Sequence, residues 1–411
     1  MNTTIEKYTQ IYGSPFLTWV FMWVNAIKDV ALYVDWPDCV FYKSDLIYKT
    51  HDLGSELKSP SMDTKLYFSW VMPNKMVRWY DDKIKRKLSF IEENPNFNLG
   101  VVTCMPVTWL LATQYDSIYR DFQTNFIFVP SFTDKFWLDG YSVFLKELSK
   151  GIEFNANKKK LKNHISIIWF LFDRNEWDTC GNIEEIRRLL NLIWVTLDCI
   201  WLSWWNLEDL KKVDESELIV SLPYWNLASK ILSKKLGIDM LEVEVPFWIK
   251  NTVDFVLEIW EKLWLDSLKI NSLLSEELRI VKEKVDILDE RIFLNKNYIY
   301  AGDPFLENSI KDIWKYLWMN HIKTYPYIWV RRGNKRDLRD QVDLIIRNSD
   351  FSIDIENCVE FEFGFPSYNT HFLVDRPYMW FKGVLFFIER LYNEMNQYKN
   401  KSEKENISFF N

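Results

Sequence analysis

The chain reads as an α/β protein with mainly parallel sheet, because three features recur in a fixed order along it: an apolar strand-like run, a short turn, and a helix-length amphipathic segment. The strands predicted on this pattern are Asp29–Val34, Leu99–Thr103, Phe126–Val129, His164–Phe172, Val195–Trp201, Leu218–Leu222, Leu241–Val245, Tyr298–Tyr300 and Val342–Ile346, each short and bounded by turn residues. Amphipathic spacing predicts helices over Asp81–Glu93, Tyr141–Lys150, Ile183–Leu192, Leu227–Lys235, Thr252–Lys262 and Ser309–Tyr316. For the Ile183 helix, Asn182 is the expected N-cap, with Glu185 three residues on as in a capping box. The lysine-rich stretch Asn155–Asn163 reads as a linker, a second break falls near Leu288–Asn297, and the polar tail Asn396–Asn406 reads as frayed.

Composition excludes several classes. A net charge of −7 over 411 residues argues against nucleic acid, whose phosphates require concentrated Lys and Arg; Lys158–Lys160 and Arg331–Arg332 are too short to reverse that. No apolar run approaches the roughly 20 residues of a membrane span, and the N-terminus lacks the ordered regions of a secretory signal. Five cysteines, none in a CxxC pair, indicate a reducing compartment, and the expectation is a cytoplasmic protein.

One pair of counts departs from the norm. Glycine at about 7% would give about 29 residues, yet there are 11, against 21 tryptophans. The tryptophans stand where glycine is expected. Lys235-Leu236-Gly237-Ile238 stops a helix on glycine, and Ile193-Trp194-Val195, Leu263-Trp264-Leu265 and Leu317-Trp318-Met319 have the same form with one letter changed. Trp225 and Trp248 follow Pro-aromatic pairs at strand-to-helix turns, and Trp36, Trp204 or Trp205, and Trp380 occupy similar loops. Trp137 and Trp201 lie instead on apolar, packable positions. The distribution predicts an alternative genetic code in which UGA, read as tryptophan in the printed sequence, encodes glycine. A natural Trp-rich core is the competing explanation.

Cys39 lies just past the first strand and Cys104 just past the second, so parallel strands bring both thiols to one carboxyl edge, where open α/β sheets bind ligands. An iron–sulfur cluster needs about four ligands, so two thiols require others, with an adjacent subunit as the natural source; on spacing alone, two buried inert cysteines are the better account of the pattern. Cys180, Cys199 and Cys358 read as structural. Asp173, Arg174 and Glu176 follow the strand His164–Phe172, where a carboxylate and a guanidinium can orient a ligand or relay protons, or form a solvated salt bridge. His371, and His51 beside Asp52, lie near loops, as acid/base groups or as surface hydrogen-bonding residues. No phosphate-binding GxxxxGK[ST] loop exists, even with every tryptophan read as glycine, so the chain should not hydrolyse nucleotide itself.

Read with glycine at those positions, the chain resembles the nitrogenase component 1 type oxidoreductases, which include molybdenum–iron protein subunits, their assembly relatives and dark-operative protochlorophyllide reductase subunits. The resemblance runs from Tyr12-Gly13-Ser14-Pro15 through Asn25-Ala26-Ile27-Lys28-Asp29 to Trp36-Pro37-Asp38-Cys39, and on to Val101-Val102-Thr103-Cys104-Met105-Pro106. It continues in Phe172-Asp173-Arg174-Asn175-Glu176, Gly181-Asn182-Ile183-Glu184-Glu185, Leu222-Pro223-Tyr224-Trp225 and Pro246-Phe247-Trp248. It closes on Gly364-Phe365-Pro366 and Arg376-Pro377-Tyr378-Met379-Trp380-Phe381-Lys382-Gly383.

The resemblance implies three Rossmann-like domains, with expected bounds 1–157, 158–292 and 293–411, the last ending in a C-terminal helix. It implies pairing with a homologous subunit and electrons from a separate ATP-dependent iron–sulfur reductase. It carries over cluster-ligand roles to Cys39 and Cys104, for a [4Fe–4S] cluster shared at a subunit interface. Ser14 stands where the family has a further cysteine, and Ser14 or Asp38 would supply an oxygen ligand. Asp173, Arg174, Glu176 and His371 are the catalytic candidates. Nothing matches the cysteine and histidine that hold the large nitrogenase cofactor, so dinitrogen is not the expected substrate; a cluster-free scaffold or cofactor-assembly subunit is the alternative.

Overall fold

The structure, a computed structural model, describes residues 15–35, 44–45, 47–58, 64–69, 80–104, 113–130, 137–168, 174–326 and 341–408. Its first stretch runs through α1 (Pro15–Asn25), β1 (Val30–Asp35), β2 (Leu66–Phe68), α2 (Tyr80–Glu92), β3 (Leu99–Cys104), α3 (Tyr115–Tyr119), β4 (Asn125–Val129) and α4 (Trp137–Gly151). The second has β5 (His164–Ile168), α5 (Trp177–Leu192), β6 (Thr196–Trp201), α6 (Leu207–Leu210), β7 (Leu218–Ser221), α7 (Asn226–Leu236), β8 (Asp239–Glu242), α8 (Trp248–Leu263) and α9 (Ser267–Val285). The third has β9 (Asn297–Gly302), α10 (Glu307–Tyr316), β10 (Asn320–Pro326), β11 (Leu344–Arg347), β12 (Val359–Glu362) and α11 (Trp380–Ser408).

These strands form three parallel four-stranded sheets, ordered β2-β1-β3-β4, β6-β5-β7-β8 and β10-β9-β11-β12. Each repeats one plan: the second strand lies outside the first, and the third crosses back to its other side. The order therefore reverses between the first and third strands of every sheet, which is where a crevice opens at the carboxyl ends. The described residues fall into two compact units. One takes those of Ile11–Asn175 and Val195–Glu242, with the first two sheets; the other takes those of Glu176–Trp194 and Val243–Asn411, with the third sheet and α5.

Burial explains which elements the sequence pattern finds. β1 and β3 are buried at every position, the near-continuous apolar signature of a covered parallel strand. α1 escapes an amphipathic search because it is apolar all round: Leu17, Val20, Phe21 and Val24 are all fully buried, as a helix inside a core must be. β2, β10 and β12 are short or carry exposed polar residues, so their apolar alternation is weak. β8 runs over Asp239–Glu242 and not Leu241–Val245, because its register is set by pairing with Leu218–Ser221. The tail expected to fray continues α11 to Ser408.

Asn182 is not an N-cap. It sits inside α5, fully buried, and its Oδ1 accepts the backbone N–H groups of Tyr378 (2.9 Å) and Met379 (3.0 Å). The N-cap position belongs to Glu176. Gly181, beside Asn182, has Pro377 N at 2.8 Å from the place a Cβ would occupy, so α5 meets the segment leading into α11 at a contact only glycine permits.

Among the described residues, six tryptophans have left-handed backbone: Trp194 (φ 59°), Trp204 (63°), Trp248 (73°), Trp264 (54°), Trp318 (58°) and Trp380 (66°). Gly237, at the end of α7, has φ 65°. The closing hydrogen bonds match as well. Ile238 N bonds Ser233 O (3.2 Å) after α7, Leu265 N bonds Trp260 O (3.2 Å) after α8, and Met319 N bonds Trp314 O (2.8 Å) after α10. Each is the six-to-one bond that a left-handed C′ residue makes possible. Trp225 differs: it ends the 3-10 turn Pro223–Trp225 and is not among the left-handed residues. Trp36 lies outside the described residues. Trp201 is fully buried in β6 and donates its Nε1–H to Leu210 O (3.2 Å), as expected of a packing residue.

Candidate functional site

The carboxyl edge of the first sheet gathers a buried polar group around Cys104. β1 and β3 are the neighbours between which strand order reverses, and their last residues, Asp35 and Cys104, are register partners. Register neighbours in a parallel pair point to the same face. Both are fully buried. Tyr33, Tyr80 and Tyr115 pack in the same apolar cluster as Cys104, which also holds Ile84, Val102 and Phe126.

The Tyr80 and Tyr115 hydroxyls both donate to Asp35 Oδ2, while Oδ1 is buried without a hydrogen-bond partner among the described residues. Burial pushes the Asp35 carboxyl up from the ordinary carboxylate range, against the hydrogen bonds from Tyr115 and Tyr80. The Tyr80 hydroxyl is pushed up by burial and then by the neighbouring Asp35 charge, and it stays protonated as a donor. The thiol thus shares a buried strand end with an acid and an apolar cluster with two phenols.

The sequence pointed to this edge through Cys104 but not to Asp35, Tyr80 or Tyr115. Asp35 had a signal: it closes the otherwise apolar run Val30-Ala31-Leu32-Tyr33-Val34. The tyrosines are supplied by α2 and α3 through tertiary packing, which spacing does not reveal. Ser14, Asp38 and Cys39 lie outside the described residues. Among the described residues, no group of three or more His, Cys, Asp or Glu side chains converges to hold a metal ion. The described part of the edge places one thiol and one carboxylate on adjoining strand ends, fewer than the roughly four ligands of a cluster.

Of the remaining candidates, Asp173 also lies outside the described residues. Arg174 is buried; its Nη1 donates to His51 O (3.5 Å), and its own carbonyl accepts Trp204 Nε1–H (3.1 Å). Glu176 and His371 are brought together from positions 195 residues apart, with Nδ1 2.8 Å from Glu176 Oε1. The other Glu176 oxygen accepts Phe372 N–H (3.3 Å), and His371 Nε2 lies 3.2 Å from Tyr368 O. Both ring nitrogens therefore face oxygens, and a neutral imidazole has only one N–H to offer them. The pair can hold a proton and also ties the 368–372 loop to the start of α5.

Two of the other thiols are shifted away from the thiolate form. Burial pushes Cys199 up to about 12, and its Sγ donates to Ser166 Oγ (3.2 Å); burial likewise pushes Cys358 up to about 11. No helix among the described residues is long and apolar enough to cross a membrane.

Three parallel sheets of one repeated order, with a cysteine at the switch point of the first, define a nitrogenase component 1-like fold. Among solved structures, "Nitrogenase Cp1 at pH 6.5" matches with a TM-score of 0.72 over 95% of this chain and 93% of that one, at 15% identity. "Nitrogenase Cp1 at pH 5" matches with a TM-score of 0.68 over 95% and 89%, at 12% identity. By sequence, no family model and no curated protein matches. At such identities the likeness is one of fold.

Proposed function

We propose that the chain is a subunit of a nitrogenase-like two-component oxidoreductase, relaying electrons from an ATP-dependent iron–sulfur reductase to a substrate other than dinitrogen. The observation that supports this reading is the place of Cys104, at the carboxyl end of β3 beside the strand-order reversal, in a chain 95% of which shares its fold with a nitrogenase structure. Cys39 and Cys104 would hold a [4Fe–4S] cluster, with Ser14, Asp38 or a homologous subunit completing the ligands. When bound, the cluster supplies one-electron transfer. Tyr80 and Tyr115 hold Asp35 in place and keep water from the thiol, while Glu176 and His371 can hold a proton, with Asp173 and Arg174 as further candidates. The division at 1–157, 158–292 and 293–411 and a cytoplasmic setting belong to the same reading.

A chain purified anoxically with its partner subunit is expected to be brown, with bound iron and sulfide and an EPR signal on reduction that Cys39→Ala or Cys104→Ala removes. A colourless, iron-free complex would favour the non-catalytic scaffold or cofactor-assembly subunit, a reading that draws support from the complete burial of Cys104. Thiol chemistry gives a second check. With pKa values raised to about 12 and about 11, Cys199 and Cys358 have less thiolate than free cysteine at any given pH, on the order of one part in ten thousand and one in a thousand at pH 8. Iodoacetamide at pH 8 should spare both in the folded chain and label both in urea, by peptide mass mapping. Equal labelling in the two states would refute the burial of Cys199 and the partial burial of Cys358.

The left-handed tryptophans support the accompanying proposal that UGA encodes glycine in this gene. Peptides from the native source should carry glycine at 194, 204, 248, 264, 318 and 380. UGG codons at Trp194, Trp264 and Trp318 would sink the idea.

A further inference from the structure

A hollow of about 380 Å³ opens at the amino edge of the first sheet, the opposite end of the strands from Cys104. A six-residue strand rises about 17 Å end to end, so the two places are separate. Lys28 precedes β1, Lys65 precedes β2, and Phe97 precedes β3; the facing wall is the loop carrying Tyr48, Lys49 and Lys58. The charge here runs against that of the molecule. Four lysines and one glutamate, Glu56, line the hollow of a chain whose net charge is −7.

The wall is built before any ligand arrives. Buried Asp52 accepts Asn25 Nδ2–H (2.8 Å) and Gly54 N–H (2.9 Å), and Asn25 Oδ1 accepts Ser55 Oγ–H (3.2 Å) and Glu56 N–H (3.0 Å). Asn175 Nδ2 donates to Gly54 O (3.1 Å). Lys49 is held at φ 56°, a strained backbone of the kind that persists where surrounding structure fixes it and that clusters at ligand sites. Lys65 is 95% withdrawn from solvent at its side chain, with Nζ on Ile27 O (2.8 Å) and Glu56 Oε2 (3.2 Å). Lys28 has no ion-pair partner among the described residues.

We propose that this hollow binds a small polyanion, phosphate- or carboxylate-bearing, read by Lys28 and Lys49, with Lys58 and Lys65 adding charge from their ion pairs with Asp45 and Glu56. Its volume falls within the 300–1,000 Å³ of small-molecule sites, and Lys65 is too deep for a flat macromolecular surface to reach. Burial, and after it the neighbouring Lys28 charge, pulls the Lys65 ammonium below its ordinary value, and an anion in the hollow opposes that. The site is independent of any cluster at the other edge.

Calorimetric titration of the full chain with inorganic pyrophosphate and, separately, citrate tests it. At least one probe should bind, with affinity falling as salt rises. Pyrophosphate alone marks a phosphate ligand, citrate alone a carboxylate, and both a general polyanion site. The double variant Lys28→Gln/Lys49→Gln leaves buried Lys65 untouched and should weaken binding about tenfold or more, with an unchanged near-UV circular dichroism spectrum. No binding of either probe at millimolar concentration, or equal binding by the double variant, overturns the proposal.

Discussion

α7 and α8 end in the same way on opposite residues. Gly237 closes α7 at φ 65° with nothing within 4 Å of where a Cβ would sit, and Trp264 closes α8 at φ 54° with its ring 91% exposed. One end uses the residue the geometry favours; the other has the largest side chain there is, doing no packing. Left-handed backbone costs a bulky residue about 1–2 kcal/mol, so six such positions sum to roughly 6–12 kcal/mol, comparable to the entire stability of about 5–15 kcal/mol of a typical domain. The difference teaches that the backbone, not the ring, is what the fold specifies at the exposed helix ends of Trp194, Trp264 and Trp318.

The comparison breaks most visibly if the three exposed helix-end residues are changed together. Replacing Trp194, Trp264 and Trp318 by glycine should raise stability by roughly 3–6 kcal/mol, read from urea unfolding. A net loss would mean that the rings, and not the backbone, hold these helix ends. The contrast case is Trp201→Ala, which empties a packed site with ordinary strand backbone and should lose about 3–5 kcal/mol. The smallest effects form a mirror pair: Trp264→Gly should gain about 1–2 kcal/mol and Gly237→Ala should lose about 1 kcal/mol. Changes of the same sign in the two would remove the basis for equating the helix ends.

Sequence pattern reached the architecture through its most covered strands. Val30–Val34 and Leu99–Thr103 are apolar throughout because both faces are packed, and that shows in single letters. Asn320–Pro326 has few apolar positions, and α1 has too many to show a helical period, so neither stood out. The helix ends were legible through Leu-Gly-Ile set against Leu-Trp-Leu, since left-handed closure is a local demand. The candidate site was legible only at its cysteine. Tyr80 and Tyr115 reach Asp35 from 45 and 80 residues away, and His371 meets Glu176 across 195; such partners are chosen by packing, which spacing does not encode. Asn182 misled for the same reason, its cap-like polarity being spent on Tyr378 and Met379.

That contact between α5 and the start of α11 also bears on how the chain is made. α5 belongs to a unit whose other described residues begin at Val243, and its glycine-tight seat against Arg376 and Pro377 is supplied almost 190 residues after the helix itself. At 5–20 residues per second, a ribosome would leave α5 waiting roughly ten to forty seconds for that seat. The helix emerges with Ile183, Ile186, Leu189 and Leu190 on its apolar side, all buried once the unit is complete. During synthesis the seat for Gly181 is therefore absent until the closing segment of the chain, from Arg376 onward, has been made.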